Sequence, residues 1–187
     1  MPTVIIEDNK KITYDDLGEG IPILFIHPPG MGRHVFYYQR KLSDKMRVII
    51  PDLTGHGDSS EANVNDLSIM YYSKEILALL DELKIKSAVL CGYSAGGGIA
   101  QIISSHYQER VSGLILIGGF PAVLNASLKV EHKLGMYMVK HHRNLLTNIL
   151  ANSHTKNKDL KELLISHMNK AQLGAWYKFY QEVLDMK

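Results

Sequence analysis

Five residues constrain this chain more than any others: Gly92-Tyr93-Ser94-Ala95-Gly96. The pattern G-x-S-x-G is short, and its position gives it meaning. It stands between an apolar run, Ser87–Cys91 (SAVLC), and a segment with helical character from Ala95 to Tyr107. A serine at a sharp strand-to-helix turn is forced into a strained backbone conformation, and the residues two before and two after it must be small. Both are glycine here. Such a turn lifts the hydroxyl clear of the sheet, and the N-terminus of the next helix favours negative charge at that point. The same glycines do not spell a nucleotide site: they make no G-x-G-x-x-G, and no Lys-Ser or Lys-Thr follows.

The surrounding sequence agrees with a strand-and-helix alternation, which builds a mostly parallel sheet with helices on its faces. Val4–Ile6 and Lys11–Tyr14 read as opening strands, ended by the turn-rich Leu17-Gly18-Glu19-Gly20. Ile21–Ile26 is nearly continuous in apolar residues, as a strand buried on both faces requires. A short helix is expected over Val35–Leu42 and a strand over Arg47–Ile50. Ser68–Leu83 places Ile69, Tyr72, Ile76, Leu79, Leu80 and Leu83 on one helical face, with Ser68 as N-cap. Val111–Ile117 is the last strand. The fold class is therefore α/β, a doubly wound, mostly parallel sheet.

After Pro121 the strand signal stops. Leu134, Met138, Leu145 and Ile149 suggest one helix, Asp159–Met168 a second, and Leu173, Trp176, Tyr177, Tyr180 and Leu184 a third. Charge changes at the same place, from 11 Lys+Arg against 14 Asp+Glu over residues 1–127 to 10 against 5 over 128–187. The expected division is a core over residues 1–122 and a helical cap over 123–187. The basic balance of the second part reads as a solvated helical surface.

A net charge of +2 over 187 residues does not argue for nucleic acid or a membrane surface as partner. The N-terminus has acids and lysines where a signal peptide is apolar, and no run reaches the length of a membrane span. The single cysteine, Cys91, excludes an internal disulfide and reads as a buried small hydrophobe. The expectation is a cytoplasmic protein acting on a small molecule.

Two more segments fall in register with the serine. His27-Pro28-Pro29-Gly30-Met31-Gly32 follows the third strand, and Pro51-Asp52-Leu53-Thr54-Gly55-His56-Gly57-Asp58-Ser59 follows the fourth. With CGYSAGGGIA they resemble, in order and separation, the α/β-hydrolase superfamily, in the group of small esterases, C–C hydrolases and haloperoxidase-like enzymes. The resemblance covers roughly Ile12 to Phe120. It implies Ser94 as nucleophile, the N–H of Ala95 as one oxyanion donor, and Tyr93 beside the substrate. Pro29 has no N–H, so the second donor falls to Gly30 or Met31. His27, His56 and Asp52 are implied as loop-shaping residues. No cofactor and no metal is implied. Family enzymes that are dehalogenases or epoxide hydrolases resemble ones with aspartate at the nucleophile, which argues against those reactions.

The family's triad runs serine, acid, histidine, and the last two follow strands beyond the cap. No acid or histidine after Ser94 follows a recognisable strand; Asp159 and His167 come in the right order but within one expected helix. The triad partners are therefore expected beyond Lys187, and the sheet is expected to be incomplete at its C-terminal edge. An apolar last strand left open there would promote self-association. The reading is a serine hydrolase of a small ester or related carbonyl compound. The alternative is a non-catalytic binding protein, or an inactive fragment, that keeps the pocket.

Overall fold

The computed structural model describes residues 2–6 and 9–186. Six strands form one sheet in the order β1-β2-β4-β3-β5-β6. They are β1 (Thr3–Ile6), β2 (Lys10–Leu17), β3 (Pro22–Ile26), β4 (Arg47–Pro51), β5 (Ala88–Tyr93) and β6 (Val111–Ile117). β1 and β2 pair antiparallel, and β2 pairs antiparallel with β4. From β4 through β3 and β5 to β6 every pairing is parallel. Helices α1 (Ile69–Glu82) and α2 (Gly96–His106) cover one face. Two 3-10 turns, Arg33–Phe36 and Tyr38–Asp44, stand where a short helix was expected, and Phe36 packs on Phe25, Ile50 and Cys91 of the other face.

The elements form for local reasons. Ser68 caps α1 by accepting from the Tyr71 amide at 3.0 Å, and the stripe Tyr72, Ile76, Leu79, Leu80 is buried against the sheet. β2 runs through Leu17, past the expected end at Tyr14. Asp15 and Asp16 break the apolar pattern there, yet Asp16 pairs with Arg47 at 2.7 Å and Asp15 with Arg40, so their charges are met at the sheet's flank.

Four helices follow β6: α3 (Ala126–His141), α4 (Arg143–His154), α5 (Lys158–Met168) and α6 (Leu173–Asp185). The single helix expected from Leu134 to Ile149 is two, broken at His142, whose φ of −141° is not helical. The stripe chosen for it is also corrected: Leu134, Leu145 and Ile149 are 54%, 56% and 49% exposed. Val139, Leu146 and Ala151 make the buried face instead. Helix α6 joins both layers, with Ala175, Phe179 and Val183 in the sheet's core and Trp176 beside Met31 in a second cluster formed with α3, α4 and α5.

Candidate active site

The strand β5 ends at Tyr93 and α2 begins at Gly96, so Ser94 and the N-cap Ala95 alone make the turn. Its φ is +51°, a left-handed conformation that few residues other than glycine adopt. The turn is held from both sides: the Ser94 amide donates to the Ile117 carbonyl at 2.8 Å, and the Gly97 amide to the Ser94 carbonyl at 2.9 Å. Both motif glycines answer to close backbone approach. A Cβ at Gly92 would lie 2.5 Å from the Gly97 Cα, and one at Gly96 2.3 Å from the Ile26 carbonyl oxygen. The amide of Ala95 has no acceptor among the described residues, as the first N–H groups of a helix generally do not.

Ser94 opens into a cavity of about 230 Å³ between the sheet's end and the helices that follow β6. Pro28, Pro29, Met31, Tyr93 and Ala95 line one side, and Glu131, His132, His154 and Tyr180, from α3, α4 and α6, the other. Of the expected site residues, Ser94, Ala95, Tyr93 and Met31 are thus brought together around one space. Gly30 lies with them in sequence, but it turns towards Trp176, whose ring atoms stand 1.9 Å from where its Cβ would be. The Met31 amide donates back to the Pro28 carbonyl at 3.3 Å, which ties it into the loop's own turn.

The two loop motifs are tied to each other by buried hydrogen bonds. Asp52 is fully buried and accepts from the Arg33 amide at 2.7 Å, the Asp58 amide at 3.0 Å, the Arg33 guanidinium, and His167 Nε2 at 2.9 Å. Burial opposes its charge, but the His167 hydrogen bond and Arg33 outweigh that and hold its carboxyl well below the usual range. His27 Nε2 accepts from the Leu53 amide at 3.0 Å, so its Nδ1–H donates to the Pro28 carbonyl at 2.8 Å. Burial lowers its pKa to about 4 and that of His56 to about 3, keeping both neutral. Each is a loop-shaping histidine. Cys91 is buried, and burial pushes its thiol up to about 11.

Histidines after the elbow bond elsewhere. His132 Nδ1 donates to the Leu128 carbonyl at 2.8 Å. His154 Nδ1 donates to the Leu150 carbonyl at 2.7 Å, and its Nε2 accepts from the Tyr93 hydroxyl at 3.0 Å. His167 is not joined to Asp159, which lies in a hollow with Tyr37 and Tyr38, but to Asp52. Asp52, Asp58 and His167 could reach one cation, their ligand atoms lying within 4.8 Å of one another. The Arg33 guanidinium and the Lys170 ammonium already neutralise those carboxylates, the latter at 2.6 Å from Asp58. Sequence reasoning did not single out Glu131, His132 and His154 for the site. Only the i, i+4 bond from each imidazole to its own helix was available locally, and any helical histidine can make one.

The model of the α/β-hydrolase fold family matches residues 21–178, most of the chain. The chain belongs to the α/β-hydrolase family. A non-heme haloperoxidase of Rhodococcus erythropolis is 31% identical over 131 residues, 66% of this chain and 46% of that protein. A 2-hydroxymuconate semialdehyde hydrolase of a Pseudomonas species is 33% identical over 118 residues, covering 61% and 42%. This α/β-hydrolase chain thus spans less than half the length of these curated relatives. Among solved structures, an esterase from Exiguobacterium antarcticum superimposes with a TM-score of 0.85 at 22% identity, over 99% of this chain and 74% of that one. That likeness is one of fold. It agrees with the α/β sheet and its helical layers. Among the described residues no helix is long and apolar enough to cross a membrane.

Proposed function

We propose that this chain carries the nucleophilic half of a serine hydrolase acting on a small ester or related carbonyl compound. The observation that supports it most is the +51° φ of Ser94, a strained conformation held at the mouth of a cavity. Ser94 Oγ attacks the carbonyl carbon as its proton passes to a base. The carbonyl oxygen takes up the charge beside the Ala95 amide and the start of α2. The tetrahedral adduct collapses, the alcohol leaves with the proton, and water then releases the acid from the Ser94 ester. His132 and His154 are the imidazoles that share the cavity. The substrate is a small molecule and the compartment cytoplasmic, as expected from composition.

A binding protein that retains the pocket is the second reading, favoured by the histidine bonds described above, none of which reaches Ser94. Treating the folded chain with a fluorophosphonate separates the two. The expected result is a label that is lost in Ser94→Ala, with both proteins folded by circular dichroism. A folded chain that takes no label overturns the hydrolase reading for these 187 residues.

A further inference from the structure

A second, half-open cavity of about 260 Å³ adjoins the first. Its walls are Val35, Phe36, Ile117, Leu160 and Leu164, with His34, Tyr38 and Gln39 at the polar side. Two residues line both spaces: Tyr93, directly before the nucleophile, and His154, the last residue of α4. They are joined by the 3.0 Å bond from the Tyr93 hydroxyl to His154 Nε2, and their rings meet edge to face at 5.8 Å. The wall between the cavities is therefore one hydrogen bond between a core residue and a cap residue.

His154 keeps its other nitrogen on the Leu150 carbonyl, so its ring stays oriented when the Tyr93 contact opens. Tyr93 is anchored on the opposite side by Phe36, 6.4 Å away edge to face. The space next to Ser94 is mixed in character, whereas the space beyond the pair is walled mainly by aliphatic and aromatic groups, which suits a hydrocarbon chain and not a second polar group.

We infer that Tyr93 and His154 form a partition that opens to admit the apolar chain of the substrate from the Ser94 cavity into the second cavity. The substrate class is then a carbonyl compound with a linear apolar chain of medium length. This rests on the Ser94 cavity being the substrate site, but not on Ser94 being reactive.

Binding of product-like acids tests it without requiring turnover. Butyrate and decanoate are titrated by calorimetry into the wild-type chain, His154→Ala and Ile117→Trp. Ile117 is half-exposed and lines only the second cavity, so the indole fills that space with little risk to the fold. Each buried methylene is worth about fourfold in affinity, so even partial entry makes decanoate bind the wild type at least tenfold tighter than butyrate. Ile117→Trp is expected to remove that preference, and His154→Ala to raise it about threefold or more by taking away the latch. Decanoate binding no tighter than butyrate, or a preference untouched by Ile117→Trp, overturns the inference, as does a chain that binds neither acid. Fluorophosphonate labelling reports on the hydrolase reading separately, so the two can fail independently.

Discussion

β3 and β6 are nearly interchangeable as sequences, and they have opposite fates. PILFI and VSGLILI are both apolar runs of strand-forming residues. β3 lies between β4 and β5, and Leu24 and Ile26 are wholly buried. β6 stands at the end of the sheet, where Leu114, Ile115, Leu116 and Ile117 are 40–44% exposed. An apolar strand says that it needs cover on both faces; it does not say what supplies the cover. Ser94 sits between the two cases, because it is held by the carbonyl of Ile117 at the open edge and by Gly96 packed on Ile26 at the closed centre.

Charge placed on each strand gives the largest contrast. Leu24→Asp buries a carboxylate with no partner and is expected to cost more than about 4 kcal/mol, enough to unfold the domain. Leu116→Asp should lie within about 1 kcal/mol of wild type and reduce self-association through the β6 edge. Urea unfolding and sedimentation at several concentrations measure both. Equal losses for the two variants would mean that β6 is covered in solution.

A smaller effect separates two left-handed glycines. Gly30 (φ +78°) faces the Trp176 ring, whereas Gly118 (φ +59°), just past β6, has nothing within 4 Å of a Cβ. Gly30→Ala combines overpacking with an unfavourable backbone and should cost about 3–4 kcal/mol. Gly118→Ala carries the backbone cost alone, about 1–2 kcal/mol. A thermal melt in which both variants fall equally would remove the Trp176 contact from the account.

The remaining effect is a pH dependence belonging to the buried centre. Burial holds His27 at about 4 and His56 at about 3, against about 6.5 in an unfolded chain. The unfolded chain therefore takes up protons first as pH falls. The stabilisation from the neutral rings is complete above about pH 6.5 and is withdrawn on acidification, by about 2 kcal/mol for each ring at pH 5. Urea midpoints between pH 7 and 5 should fall steeply in the wild type and less in His27→Gln. A midpoint independent of pH would show that these rings are not buried neutral in solution.

Much of the core was legible because local patterns and long-range needs coincided there. The stripe Tyr72, Ile76, Leu79 and Leu80 has helical spacing, and Ser68 precedes it, so propensity, cap and burial all agree. The helices after β6 were legible only in outline. Leu134, Leu145 and Ile149 look like a buried face by spacing, but the chain reverses at His142 and the helices turn Val139, Leu146 and Ala151 inward instead. β2 was read short because Asp15 and Asp16 are poor strand residues until Arg40 and Arg47 arrive from elsewhere in the chain.

The sequence by itself determined the elbow. Two glycines, a serine and an apolar run before them leave few backbone paths, since close approach and positive φ are steric demands that local residue types decide. It also determined most of the two loops, where His27 bonds Leu53, and Asp52 bonds Asp58 and the adjoining Arg33; only His167 reaches Asp52 from a distant helix. Only the tertiary structure decided what faces Ser94. Glu131, His132 and His154 come from helices far along the chain, and their approach depends on how α3 and α4 pack across the sheet's end. The Tyr93–His154 contact joins residues 61 apart in sequence. No local pattern encodes such a pair, because the free energy that forms it is spread over the packing of two layers.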